Sequence, residues 1–265
     1  MTELLTARSG RIKAARRLAD RRVRREVGRF LVEGPQLIEE AYGVPDAVVE
    51  VYATPEAAQR YADLRDRSPA EWQLTEDRGV EALSDTVTAT GVVAVCRSDR
   101  VLTPLAEAVD ASARLVVVCA DVRDPGNAGT VIRSADAAGA DAVVLVGRSV
   151  DPLNPKTVRA TVGSLFHLPV SVAGDIGETL ALLRERGQTI LAADGAGEVD
   201  LFDADELLAG PTAWLLGNEA WGLPAEVAAV ADHRVRVPIF GAAESLNLST
   251  AAAVCLYASA RAQRR

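Results

Sequence analysis

From Arg114 onward, continuous apolar runs alternate with helical patterns, and that alternation restricts the fold more than any other feature of the chain. The runs LVVVCA, AVVLVG, TILAAD, TAWLLG and VRVPI carry almost no polar residue on either face. Between the first two lies GTVIRSADAAGA, and further helical patterns fall near Lys156–Val162 and Ile176–Arg186. Strands that are apolar on both faces belong to a parallel sheet covered by helices above and below. Such open α/β sheets bind ligands in the loops at the carboxyl ends of their strands.

The first hundred residues read as a separate, smaller α/β unit. Arg29-Phe-Leu-Val-Glu-Gly-Pro is a short strand ending in a turn, followed by a helix through Ile38 and Ala41. Strand signals at Val48–Ala53 and Gly91–Cys96, with helical patterns at Pro55–Arg65 and Asp77–Leu83, complete it. Ser98 to Ala113 reads as a linker, so the expected domains are 1–105 and 113–265.

Charge is distributed unevenly between these parts. The chain carries −8 overall, yet residues 1–30 hold ten Arg or Lys against three Asp or Glu. A local +7 therefore sits on a remainder of −15. A local basic patch, rather than the global charge, is what a nucleic acid meets. Ile12, Ala15, Ala19 and Val23 follow helical spacing within the arginine run from Arg8 to Arg29, which predicts a basic amphipathic helix. Arg16, Arg17, Arg21, Arg24 and Arg25 are candidate phosphate ligands, because arginine forks match phosphate oxygens. The alternative is a solvated surface helix.

Other classes are disfavoured. No apolar run approaches the roughly 20 residues of a membrane span, and no signal-peptide core is visible, so a cytoplasmic protein is expected. Cys96, Cys119 and Cys255 lie far apart in apolar runs and read as reduced core residues; with two histidines, no metal cluster is expected. The glycines at 195 and 197 do not form a GxGxxG fingerprint, which weighs against a dinucleotide-dependent oxidoreductase.

Three polar-rich junctions stand out. Asp124 to Gly139 reads DPGNAGTVIRSADAAG, Leu215 to Leu223 reads LLGNEAWGL, and Val237 to Val254 reads VPIFGAAESLNLSTAAAV. In the last, a strand through Val235, Val237 and Ile239 is expected to lead through a loop to a small-residue helix at Ser249–Ala260. Glu244, Ser245 and Asn247 crowd that junction, where one cap would suffice for the free amides of the first turn. Asn127 reads either as a helix cap or as a loop residue folding back toward Arg133, six positions on.

In order and spacing, these three stretches resemble the SpoU/TrmH branch of the SPOUT RNA methyltransferases. The resemblance runs from about residue 113 to the end, and FLVEGPQLIEEA resembles the opening of the family's ribosomal-protein-like RNA-binding extension. The resemblance implies a C-terminal α/β domain tied in a deep trefoil knot by its last strands and C-terminal helix, which general topology rules would reject. It implies a homodimer using S-adenosylmethionine to methylate a ribose 2′-hydroxyl of structured RNA, with large-subunit ribosomal RNA ahead of tRNA. A non-catalytic RNA-binding module of the same fold is the alternative.

The resemblance also implies a site. Asn127, Arg133, Glu219, Ser245 and Asn247 would be catalytic. Leu216, Gly217, Asn218, Val237, Ile239 and Leu246, with the main chain of Ala193, would hold the cofactor. Arg133 aligns with the family's methyl-transfer arginine, as a base or as a clamp that stabilises charge on the 2′-oxygen. A guanidinium with a pKa above about 12 favours the clamp. Arg159 would lie near the RNA groove, or on a plain helix surface. Trp221 replaces a usually small residue and reads as a base-stacking or an interface group.

Overall fold

The computed structural model describes residues 4–86 and 89–264. They form two compact units: residues up to Val101 with Leu153–Phe166, and Leu102–Pro152 with His167 onward.

In the first unit, β1 (Arg29–Glu33), β2 (Val48–Ala53), β3 (Trp72–Leu74) and β4 (Val92–Arg97) form a sheet in the order β1-β4-β2-β3. β4 is antiparallel to both neighbours, whereas β2 and β3 are parallel. The helical pattern over Pro55–Arg65 is two helices, Pro55–Arg60 and Ala62–Asp66, because the backbone of Tyr61 (φ −108°, ψ 39°) leaves helical geometry. The helix Pro155–Thr161 packs on β1, and the rings of Phe30 and Phe166 stack with centroids 6.5 Å apart.

The basic stretch is not one helix. It forms Gly10–Arg16, a 3-10 turn at Arg17–Ala19, and Arg21–Val27. Asp20 causes the break: its backbone is extended and its carboxylate accepts the Arg22 N–H at 2.7 Å, capping the second helix. Gly28 ends that helix at φ 68°, a conformation glycine adopts without steric cost. Ile12, Ala15 and Leu18 bury themselves against Leu31, Tyr52, Val80, Val93 and Val95. The arginines therefore ride on residues that are part of the core.

In the second unit, the strands are β5 (Leu115–Ala120), β6 (Ala142–Val146), β7 (Val170–Ala173), β8 (Thr189–Ala193), β9 (Val199–Asp200), β10 (Thr212–Leu216) and β11 (His233–Arg236). Their order is β7-β6-β5-β10-β8-β11-β9, and every pairing among them is parallel. Val116, Val118, Val144, Ile190, Ala213 and Leu215 share one core with Leu180 and Leu183 of the helix Ile176–Glu185. Pairing of β10 with both β5 and β8 sets Leu215, Val118 and Ala192 side by side near the carboxyl ends.

Two helices frame that edge. Pro125–Ala138 follows β5, and Leu248–Gln263 packs against it. Trp214 of β10, fully buried, donates its indole N–H to Ser259 Oγ at 2.9 Å, which fixes the C-terminal helix to the sheet. The strand expected to run through Ile239 stops at Arg236. Pro238 has no N–H to give a ladder, so Val237 and Ile239 continue as irregular chain. The three cysteines are free and buried. Among the described residues, no helix is long and apolar enough to cross a membrane.

Candidate active site

The three polar-rich junctions, far apart in sequence, meet at the carboxyl edge of the second sheet. Asp124 caps the helix Pro125–Ala138 by accepting the Asn127 N–H at 2.8 Å. Asn127 thus stands within the first helical turn; it is neither the cap nor a loop residue. Its amide faces outward to two partners. Asn127 Nδ2 donates to Glu219 Oε1 at 3.4 Å, and Asn127 Oδ1 accepts from Asn247 Nδ2 at 3.0 Å. The Glu219 carboxylate also accepts the main-chain N–H of Asp124 at 3.1 Å and of Arg123 at 3.3 Å. A carboxylate at the amino end of a helix is favoured by the free amides and the helix dipole there.

Asn247 divides its amide between two tasks. Oδ1 caps the C-terminal helix, accepting from Ser249 N at 2.9 Å and Thr250 N at 3.4 Å, while Nδ2 reaches Asn127. One side chain therefore both caps the helix and links it to Asn127 of the first junction. Glu244 and Ser245 make no hydrogen bond among the described residues and face the neighbouring cavity.

That cavity, of about 680 Å³, is lined by Ala193, Leu216, Gly217, Asn218, Glu219, Val237, Ile239, Ser245 and Leu246. Every residue expected to hold the cofactor faces it. The size is that of small-molecule sites, roughly 300–1,000 Å³. Apolar walls from Leu216, Val235, Val237, Ile239, Leu246 and Leu248 meet carboxylates at Asp194, Glu219 and Glu244, and an ion pair between Asp200 and Arg236 at 3.2 Å. This donor set suits a flat apolar ligand that carries positive charge.

The loop between β10 and the cavity is a tight hairpin. Asn218 and Gly222 exchange both main-chain hydrogen bonds at 2.9 Å, and Asn218 Oδ1 accepts from Ala220 N. Asn218 Nδ2 donates to the Asp121 carbonyl, tying the hairpin to the end of β5. Its side chain is used up in structure, and it borders the cavity as a buried wall. Gly217 borders the cavity and also lies against the hairpin. A Cβ there would lie 2.3 Å from the Gly222 carbonyl carbon and 2.4 Å from Leu223 N, so the hairpin itself excludes a side chain.

Not every expected residue joins the constellation. Arg133 is exposed, does not border the cavity, and its side chain makes no hydrogen bond or ion pair among the described residues. Six residues along an ideal helix put it about 9 Å beyond Asn127 and about 120° around the axis. Arg24 is corrected: it is only 3% exposed, and its guanidinium donates to the carbonyls of Leu18 and Ala19 at 2.8 Å. It closes the break between the two basic helices and has no face left for phosphate. Arg159 is corrected likewise, since Asp85 and Glu33 hold it, the latter at 3.6 Å. Arg16, Arg17, Arg21 and Arg25 are exposed, with no ion pair among the described residues. Cys119, behind the site, is no nucleophile at neutral pH: burial, aided by the Glu219 charge, pushes its thiol up to about 12.

Sequence reasoning missed Asp124, Asp194 and Asp200. An Asp directly before Pro at a helix start is a cap signal that could have revealed the first. The other two join the cavity only because parallel pairing brings β8, β9 and β11 together.

A parallel sheet with a ligand-sized cavity and a Glu–Asn–Asn cluster at its carboxyl edge defines a cofactor-binding α/β enzyme class. The SpoU rRNA Methylase family model matches residues 114–257, and the MRM3-like substrate binding domain model matches residues 10–94. The chain belongs to the SpoU rRNA methylase family. The 23S rRNA (guanosine(2553)-2′-O)-methyltransferase RlmP of Bacillus subtilis is 34% identical over 260 residues, covering 97% of this chain and 98% of the relative. Among solved structures, the AdoMet-bound rRNA methyltransferase of Sinorhizobium meliloti is similar with a TM-score of 0.85 at 30% identity, over 98% of this chain and 97% of its own. The SpoU methyltransferase AviRb of Streptomyces viridochromogenes, in complex with AdoMet, gives 0.83 at 30% identity, over 97% and 98%.

Proposed function

We propose that this protein transfers a methyl group from S-adenosylmethionine to a ribose 2′-hydroxyl of 23S ribosomal RNA. The observation that carries the reading is the meeting of Glu219, Asn127 and Asn247 beside a cavity with apolar walls and carboxylates. Family membership and the named relatives support it.

The cofactor, when bound, supplies an electrophilic methyl group on a positively charged sulfur. The main chain from Leu216 to Asn218 and around Val237, Ile239 and Leu246, with that of Ala193, would hold its adenosine. Asp194, Glu219 and Glu244, with Asp200 offset by its ion pair to Arg236, leave the cavity a net negative lining that matches its positive charge. Asn127, fixed between Glu219 and Asn247, keeps the edge of the site in one arrangement before substrate arrives, as preorganised catalysis requires. Ser245, at the cavity wall and without a hydrogen bond among the described residues, would hydrogen-bond the ribose. Arg133 would clamp a phosphate of the RNA and stabilise negative charge developing on the 2′-oxygen, a role that its exposed guanidinium and its alignment with the family's methyl-transfer arginine support.

The exposed arginines at 16, 17, 21 and 25 add sequence-independent affinity for RNA phosphates, and the first unit acts as a substrate-binding domain. The last strands and the C-terminal helix form the deep trefoil knot of the SPOUT fold, a reading supported by β10 lying between two strands that precede it in sequence. We infer a homodimer through the second unit and a cytoplasmic location, both of which fit a ribosomal RNA substrate.

Calorimetry with S-adenosylmethionine, followed by transfer of labelled methyl groups to a 23S rRNA transcript, tests the reading. Binding plus alkali-resistant label at one nucleotide is expected. Absence of binding would remove the cavity from the reaction, and label on tRNA alone would reassign the substrate.

A further inference from the structure

The mechanism leaves one conspicuous group unused. Trp221 sits at the tip of the Asn218–Gly222 hairpin with 54% of its surface exposed. Its neighbours Ala220 and Gly222 border the cavity, but Trp221 does not, so its indole stands on the outer rim. Arg123 lies over the indole, its guanidinium carbon 5.0 Å from the ring centroid. The hairpin is closed by main-chain hydrogen bonds and by the Asn218 side chain, so it does not need the indole for its shape.

We propose that Trp221 and Arg123 form a stacking platform for an unpaired nucleobase of the RNA, next to the ribose that is methylated. The proposal rests on the RNA methyltransferase reading and names a residue pair that recognises substrate within it. Three observations converge. First, Arg123 binds Glu219 through its main-chain N–H while its side chain covers Trp221, so the platform is anchored directly to the candidate catalytic carboxylate. Second, the Arg123 guanidinium has no ion-pair partner among the described residues, which leaves its N–H groups for a phosphate oxygen. Third, more than half of the Trp221 surface stays exposed with Arg123 over the ring, and aromatic faces bind unstacked bases with little sequence preference. An exposed large aromatic beside a polar site is informative in a way that scattered surface leucines are not.

The test uses the full chain, a 23S rRNA transcript as probe, and the variants Trp221→Ala and Trp221→Phe. Wild-type methyl transfer to the transcript is measured first, so that failure of the underlying activity is seen before any variant is made. Base stacking is typically worth enough to raise KM for RNA about 5- to 140-fold when the ring is removed. The loss should fall on KM rather than kcat, with S-adenosylmethionine affinity unchanged, and Trp221→Phe should recover most of it. Indole fluorescence should be quenched on RNA addition in the wild type, and that quenching should vanish in Trp221→Ala. An unchanged KM for RNA in Trp221→Ala would overturn the platform. So would a KM loss accompanied by dissociation of dimers in sedimentation, which would make Trp221 an interface residue.

Discussion

Asn247 donates from Nδ2 to Asn127 Oδ1 at 3.0 Å across 120 residues of sequence, while its Oδ1 caps the C-terminal helix. The two halves of this amide can be separated. Asn247→Asp retains an acceptor for the Ser249 and Thr250 N–H groups but has no donor for Asn127. Thermal unfolding should be nearly unchanged, whereas turnover should fall. Asn247→Ala should lose both, at a stability cost of about 1 kcal/mol. Equal turnover in Asn247→Asp and wild type would separate this bond from catalysis.

Glu219 accepts from Arg123 N, Asp124 N and Asn127 Nδ2. Glu219→Gln keeps the shape but replaces an acceptor-only group with one that must also donate. Hydrogen bonds to a charged group are worth more than neutral ones, and exposure to solvent discounts that difference. We expect kcat to fall about tenfold, with the Asp124 cap intact and Tm little changed. Steady-state kinetics beside a melting curve would read both; a Tm loss without a kcat loss would make Glu219 structural.

Arg133 should separate cofactor binding from chemistry, because it is exposed and outside the cavity wall. Arg133→Ala should bind S-adenosylmethionine as the wild type does, yet lose about 100-fold or more in turnover, the scale of one preorganised donor. Arg133→Lys should recover little, since it keeps charge but loses the planar fork. Weakened cofactor binding in Arg133→Ala would contradict its placement outside the cavity.

The basic stretch must be tested by substitution, because deletion would remove Ile12 and Leu18 from the core. Replacing Arg16, Arg17, Arg21 and Arg25 by Gln should flatten the salt dependence of RNA binding. The log–log slope should fall by about 0.7 to 0.9 for each phosphate that is no longer neutralised. Arg24→Ala should instead lower stability, since the buried guanidinium bonds two carbonyls. An unaltered slope in the fourfold variant would return these arginines to a solvated surface.

Periodicity revealed what is local and repeated. The strand at Val48–Ala53 and the parallel sheet followed from apolar runs, because burial on two faces removes polar residues. Helix breaks were less legible: Asp20 and Tyr61 interrupt patterns whose apolar spacing continues across them. The site divides in the same way. Asn127, Glu219 and Asn247 were visible as motif residues, but the bonds joining them depend on strand order. The pairing of Arg159 with Glu33 and Asp85 was hidden for the same reason, since the partners lie 126 and 74 positions away. Gly217 was visible as a motif glycine, but its close contact with Gly222 and Leu223 of the hairpin was not.

The most direct test of the central claim is a map of ribose 2′-O-methylation across ribosomal RNA and tRNA. It would compare cells with the protein, cells without it, and cells carrying Arg133→Ala. One 23S rRNA position should be methylated with the wild-type chain and unmethylated in the other two. Identical maps in all three would contradict the assignment of this cavity and its Glu219–Asn127–Asn247 cluster to ribosomal RNA methylation.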